Sequence, residues 1–297
     1  MDINDLLDRT WKIAWNHKIL WGVGALSMAL AILILPLAFA PMISIAASDE
    51  FPVWMENPLF LVGWLAIFAV WFLVTFLVSP WIQAALTLGA LRAGQGQARL
   101  NFGELFSAGR AYYLRFLGVM AIFSGSLLLA NLALSLLQTV GSLLTLGLAS
   151  LCLTPLTFLL IPVMYVAMAW MELTEAAIVV RGLGVMDSFR HTWQLIRANK
   201  LPVVLLTLIL YLGIGIVSSL FGFPLMLPFF AVPFTIMAEN EIPRTILIIS
   251  GLCLAAYLPI YTVLQGAVLA FVKAGWIVGY QQLTRVSEDN TPIQANA

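Results

Sequence analysis

Gly184-Val185-Met186-Asp187-Ser188-Phe189-Arg190-His191-Thr192-Trp193-Gln194-Leu195-Ile196-Arg197-Ala198-Asn199-Lys200 decides how this chain folds, because charge-free apolar sequence from Leu201 to Phe221 follows it directly. Val185, Phe189, Trp193 and Ile196 fall at helical spacing and make one apolar stripe, while Asp187, Arg190, His191, Gln194 and Arg197 take the other side. Such a helix suits the surface of a bilayer, half in lipid and half in water. The apolar run behind it is long enough to cross. A surface helix feeding a spanning helix is therefore the unit to seek elsewhere in the chain.

It recurs twice. Residues 3–15 form a first surface helix, with Ile3, Leu7, Thr10, Trp11, Ala14 and Trp15 on its greasy side and Asp5, Asp8, Arg9, Lys12 and Asn16 facing water. Asn101 followed by Glu104 reads as a helix N-cap with a reciprocal partner. Phe102, Leu105, Phe106, Gly109, Tyr112, Tyr113 and Phe116 then share a stripe, and Arg115 closes the helix as Lys18 closes the first. Thr10-Trp11 and Thr192-Trp193 stand 182 residues apart, and at that offset Ile13 meets Leu195, Lys18 meets Lys200 and Ile19 meets Leu201. This points to parallel repeats about an axis near the membrane normal.

Composition says what surrounds these units. The hydrophobic fraction is 62%, the charged fraction 9% and the mean hydropathy +1.00. Ordinary soluble domains carry about 25% charged residues. A surface with so few charges has to be solvated mainly by lipid. Fourteen Lys and Arg balance fourteen Asp and Glu, so no bulk field favours nucleic acid. Cys152 and Cys253 lie apart in apolar runs and read as buried small hydrophobes.

The expected fold is all-α: a polytopic membrane bundle of six transmembrane helices in three hairpins, each preceded by a cytoplasmic amphipathic surface helix. The spans fall at about residues 19–47, 59–91, 116–138, 146–171, 201–222 and 246–272. Residues 1–285 make a single membrane domain and 286–297 a polar, disordered tail. The acidic start (Asp2, Asp5, Asp8) and long first apolar run argue for a retained span over a cleaved signal peptide. Phe223 to Met237, broken by Pro224, Pro228 and Pro233, reads as interfacial or re-entrant. Thirteen of the fourteen cations, Lys273 among them, fall on one side and Arg244 alone on the other. That asymmetry makes both termini cytoplasmic in a multi-pass protein of the cell (plasma) membrane.

The polar residues left over are the candidates for function. Trp11, Lys12, Lys18, Arg110, Arg115, Arg190, Trp193, Arg197 and Lys200 are placed to touch anionic lipid headgroups or a protein partner. Glu172 and Glu175 stand one turn apart where the fourth span ends. They are either a candidate proton or ion site or residents of the headgroup layer, paired with Arg181 or a basic surface helix. Gln83, Asn131, Gln138 and Gln265 lie at membrane depth, as interhelical hydrogen-bonders or as a polar path. His17 and His191 read as water-facing, without a second imidazole or thiol to make a metal site. Gly275 to Gly279 is a small-xxx-small match that falls after Lys273, outside the expected lipid. There is no nucleophile elbow, Walker loop or HExxH.

Thr10-Trp11 with Asn16-His17-Lys18, the approach from Ala177 to Val185, and Ser188-Phe189-Arg190 through Trp193, Asn199 and Lys200 carry a resemblance. The layout resembles a broad group of uncharacterised prokaryotic six-helix membrane proteins. That group is similar to the membrane domain attached to some glycerophosphodiester phosphodiesterases. The catalytic domain of those enzymes is absent, so the resemblance implies a membrane module with no catalytic residue and no cofactor. The reading is a non-enzymatic membrane protein that organises lipid or a protein partner, or a second copy of itself. Its alternative is a small-solute or ion permease with a polar path between the spans. On either reading, single cysteines placed beside Gly96 and His191 will react with a membrane-impermeant reagent from the same side of the membrane. Labelling from opposite faces would refute the topology.

Overall fold

The computed structural model describes residues 2–34, 57–97, 99–145, 147–239 and 244–289. Among these the regular structure is helical, with no strand. Helix α1 (Ile3–Asn16) opens on Asp2, whose carboxylate accepts the backbone N–H groups of Asn4 at 3.0 Å and Asp5 at 3.3 Å. Then follow α2 (Ile19–Ile32) and α3 (Pro58–Gly94), the latter capped by Asn57 accepting the Leu59 N–H at 2.9 Å. The expected cap at Asn101 accepts the Gly103 N–H at 3.1 Å and starts α4 (Phe102–Gly109). A 3-10 turn, Arg110–Tyr112, leads into α5 (Tyr113–Leu144), and α6 (Leu148–Arg181) returns. Gly147 at φ 93° begins α6 and Gly182 at φ 68° ends it, left-handed positions that glycine alone adopts without strain. Beyond them lie α7 (Val185–Ala198), α8 (Lys200–Thr207), a π-helical turn (Leu208–Gly213), α9 (Ile214–Glu239) and α10 (Arg244–Asp289).

Among the described residues, five stretches are long and apolar enough to cross a bilayer: Pro58–Gly94, Phe102–Leu144, Ile161–Arg181, Lys200–Met226 and Leu252–Arg285. Helix α2 is apolar but has 14 residues, about 21 Å at the helical rise. The rest of the expected first span, residues 35–47, lies outside the described residues, as does most of the expected tail. Two expectations are corrected. Phe223 to Met237 is part of the continuous helix α9, not a separate interfacial or re-entrant stretch. Residues 286–289, expected in a disordered tail, are the last turn of helix α10, which runs to Asp289.

Helices α3, α5, α6 and α10 each have a buried part and an exposed part. In α3, Leu59, Val62, Val70 and Phe72 are exposed, whereas residues 84–91 are buried. In α5, Phe116, Val119 and Phe123 are buried, and Leu128 through Leu144 face outwards. Helix α6 reverses this order, exposed at Phe158 and from Ile161 to Val166 and buried from Leu173 to Val179. Helix α10 is exposed at Leu252, Ile260 and Val263 and buried from Ala270 to Leu283. The protein core thus occupies one end of the helices. Apolar side chains at the other end need a non-aqueous solvent. Cys253 is on that exposed half of α10, against the expectation of burial; the Cys152 side chain lies outside the described residues.

Helices α1, α4 and α7 all dock on the buried halves. Leu6, Thr10 and Ile13 seat α1; Leu105 and Gly109 seat α4; Ser188, Phe189, Thr192 and Leu195 seat α7. The inward faces of α1 and α7 are therefore rotated from the expected stripes. Trp11 and Trp15 lie outside at 56% and 50% exposure, stacked on each other at 5.2 Å. The helices α1 and α7 begin at residues 3 and 185 and end at 16 and 198, so both boundaries repeat at the offset of 182. Polar contacts join the connecting segments at this end. His17 Nε2 lies 3.1 Å from the Gln97 carbonyl oxygen, and the Arg115 guanidinium donates to the Gly182 carbonyl at 2.8 Å. Gln282 donates to Asp5 at 3.1 Å. The segments around Gly96 and Gly182 therefore sit at one end of the bundle.

Helix α10 is the axis. A Cβ on Gly24 of α2 would strike the Gly266 carbonyl oxygen, and one on Gly266 would strike the Trp21 carbonyl oxygen and, at 2.5 Å, the Ala25 nitrogen. Gly275 and Gly279 leave room for Leu210 and Leu206, whose methyls would stand 2.7 Å and 2.5 Å from an added Cβ. The small-xxx-small stretch is thus a packing groove after all. Because backbone rather than a movable side chain blocks the space, Gly266→Ala will destabilise the fold by about 1–3 kcal/mol or more. Gly22→Ala, with nothing within 4 Å, will be neutral. Thermal unfolding of the two variants in detergent checks this.

Candidate functional site

The cationic and aromatic residues of the surface helices divide into two sets. Lys12 is engaged by Asp8 at 2.6 Å, one turn away on the exposed side of α1. Arg115 is half-buried and spends its guanidinium on the carbonyls of Gly182 at 2.8 Å and Leu183 at 3.4 Å. It closes the C-terminal end of α6, where exposed carbonyl groups favour a cation. Lys18, Arg110, Arg190, Arg197 and Lys200 are exposed. Arg197 lies 4.9 Å from the Trp193 ring centroid, a cation–π contact. Trp11 stacks on Trp15, and Trp15 meets Trp21 edge-on at 5.3 Å. The Trp21 indole donates to the Ala14 carbonyl at 2.7 Å, which fastens the start of α2 to α1.

Helix α7 is held by hydrogen bonds as well as by packing. The Thr192 hydroxyl donates to the Ser188 carbonyl at 2.7 Å and lies 3.0 Å from the Thr174 hydroxyl of α6. It also accepts the Trp170 indole N–H at 3.1 Å. His191, expected in water, is half-buried with Nε2 3.1 Å from the Tyr280 hydroxyl of α10. The polar residues of the apolar helices do not form one cluster. Asn131 is exposed on α5 and donates to its own helix at Leu127, 2.8 Å away. Gln265 is buried on α10 and accepts the Ser218 hydroxyl of α9 at 3.3 Å. Gln83 on α3 and Gln138 on α5 are half-buried, and the Gln83 carbonyl oxygen has no partner.

Glu172 and Glu175 do come together, with a residue that sequence reasoning placed elsewhere. Their spacing aims both carboxylates from one face of α6. Lys273 of α10 donates to Glu172 at 2.8 Å and to Glu175 at 2.6 Å. Exposure is 7% for Glu172, 4% for Glu175 and 2% for Lys273, so this is the interior and not the headgroup layer. The pair is bound by Lys273 rather than by Arg181 or a surface helix. One signal pointed to it: Lys273 is the single charged residue between Arg244 and Arg285. It was read as an interface marker because the apolar run before it is already long enough to span. Its removal from the surface leaves twelve of the original thirteen cations on that side. Among the described residues, no group of three or more His, Cys, Asp or Glu could hold a metal ion.

Burial and the Arg181 charge together hold the His191 pKa below the ordinary histidine value. Neutral imidazole is therefore the docked form. Its contribution is present above the unfolded histidine pKa of about 6.5 and is lost as pH falls through that value towards the folded one. In detergent, thermal stability will fall on acidification to about pH 5, and the fall will be shallower in His191→Gln. Parallel slopes for the two proteins would refute this role.

No curated protein and no solved structure matches the chain. One family model matches residues 22–274, most of the chain, and its description is Domain of unknown function (DUF7847). A match of that extent places the chain in the family, and the apolar helices of the structure are compatible with a membrane protein. The chain belongs to the DUF7847 family.

Proposed function

We propose that this is a non-enzymatic integral membrane protein of the cell membrane, with both termini cytoplasmic, whose surface helices gather anionic lipid headgroups. The observation that carries the reading is what α1 and α7 leave uncovered. Their apolar faces are taken up by the bundle, and Lys18, Arg190, Arg197 and Lys200 stay exposed, as do Trp11 and Trp15. Indole rings favour the headgroup level of a bilayer, and each cation near an anionic surface adds about 1 kcal/mol. Arg110 extends the basic surface from the second unit, while Lys12 and Arg115 are already engaged within the protein. The span assignment on this reading has six crossings in three hairpins, with α2 belonging to the first.

The same surface suits an acidic protein partner. A permease is supported less well, since it needs Gln83, Asn131, Gln138 and Gln265 around one wet cavity. Asn131 faces outwards and Gln265 bonds Ser218 between α9 and α10. The likeness to the membrane domain of glycerophosphodiester phosphodiesterases fits a module that lies against lipid.

Native mass spectrometry of the protein released from membranes tests the proposal. Anionic phospholipid will be retained, and the triple variant Arg190→Gln, Arg197→Gln, Lys200→Gln will lose about 3 kcal/mol of that binding if the three contributions add. A retained polar metabolite, with no preference for anionic over zwitterionic lipid, would favour the permease instead.

A further inference from the structure

Charge counting singles out the interior of the bundle. Two carboxylates share one ammonium, all three groups are buried, and full ionisation leaves one negative charge over. Two carboxylates that share a buried site cannot both hold their charge easily. The titratable groups facing the pair are Lys273 from α10 and Tyr211 from the π-helical turn. That turn, Leu208–Gly213, is the one break in the α-helical path from Lys200 to Glu239. Insertions of this kind gather at functional sites, because they re-aim a side chain within a helix. Here the re-aimed side chain is Tyr211, whose ring lies 6.0 Å from that of Trp276. Trp276 stands one turn beyond Lys273 and is 1% exposed. The Tyr211 hydroxyl and the Trp276 indole N–H are both buried and lie within each other's reach, with no well-aligned hydrogen bond to either.

We propose that Glu172, Glu175 and Lys273 form a proton-binding site, in which one carboxylate stays ionised against the ammonium and the other carries a proton. The ligand is a proton rather than a metal cation for two reasons. Lys273 already holds the cationic position between the carboxylates, at 2.8 Å and 2.6 Å. The indole of Trp276, one turn along α10, is a donor only, with no lone pair to offer a metal. Proton uptake forms one O–H bond on a carboxylate oxygen and brings the group to zero net charge. Release restores the surplus charge and strains the contact between α6 and α10.

Infrared difference spectroscopy of the full chain in lipid nanodiscs, titrated from mildly acidic to alkaline pH, tests the site. The wild type will show one protonated-carboxyl C=O band that is lost as pH rises. Glu172→Gln and Glu175→Gln will each abolish it, because the remaining carboxylate pairs with Lys273 and keeps its charge. Lys273→Met will increase the band about twofold, since both acids are then neutral. The two glutamine variants are near-isosteric and keep the test decisive should Lys273→Met not fold. A wild type without the band would overturn the proposal, as would a band that survives in both glutamine variants. Loss of the band on exchanging choline chloride for sodium chloride would assign a cation site instead and overturn it too.

Discussion

Apolar surface at one end of the helices cannot be covered by the protein itself, and the rest of the architecture follows from that shortage. Helices α3, α5, α6 and α10 each turn apolar side chains outwards over one half. In water that arrangement would forfeit the free energy that folds a domain. In lipid it costs little, provided every backbone group is satisfied within its own helix. Association is then left to close packing and polar contacts, and both are concentrated at the other end. Glycine crossings on α10 and the bonds from His17, Arg115, Thr192 and Gln282 all lie there.

The amphipathic helices complete this end of the molecule. Each has an inward face that fills the bundle, and α1 and α7 carry cations on their outward faces. This double duty explains why α1 and α7 share a length and an offset, while the contacts beneath them differ. Thr192 sits in a network with Thr174 and Trp170, whereas the Thr10 hydroxyl is buried without a partner. The two units present matching faces to different neighbours.

Inside the same end lies the unequal charge count of Glu172, Glu175 and Lys273. A buried ion pair is weak evidence for stability, because desolvation offsets much of the attraction. Replacing such a group by apolar residues is often neutral or favourable. This group lies between α6 and α10, next to a π-helical turn, where the proposed change of protonation would act on the contact between the two helices. The lipid-facing helices and the buried acids thus belong to different parts of one assembly, linked through α10.

Composition and periodicity by themselves determined the all-helical class, the long apolar helices suited to a membrane, the presence of helices α1, α4 and α7 and the common end for the segments around Gly96 and Gly182. They also marked the cap at Asn101 and the 182-residue echo, because these depend on local spacing and charge. Tertiary structure decided what spacing cannot encode. Prolines between Phe223 and Met237 suggested a broken segment, yet the helix continues, since neighbouring groups in a bundle absorb a missing N–H. Lys273 looked like an interface cation because hydropathy records how much apolar sequence precedes a charge. Only the approach of α6 to α10 shows that two carboxylates wait for it, a pairing across 98 and 101 residues that no local pattern carries.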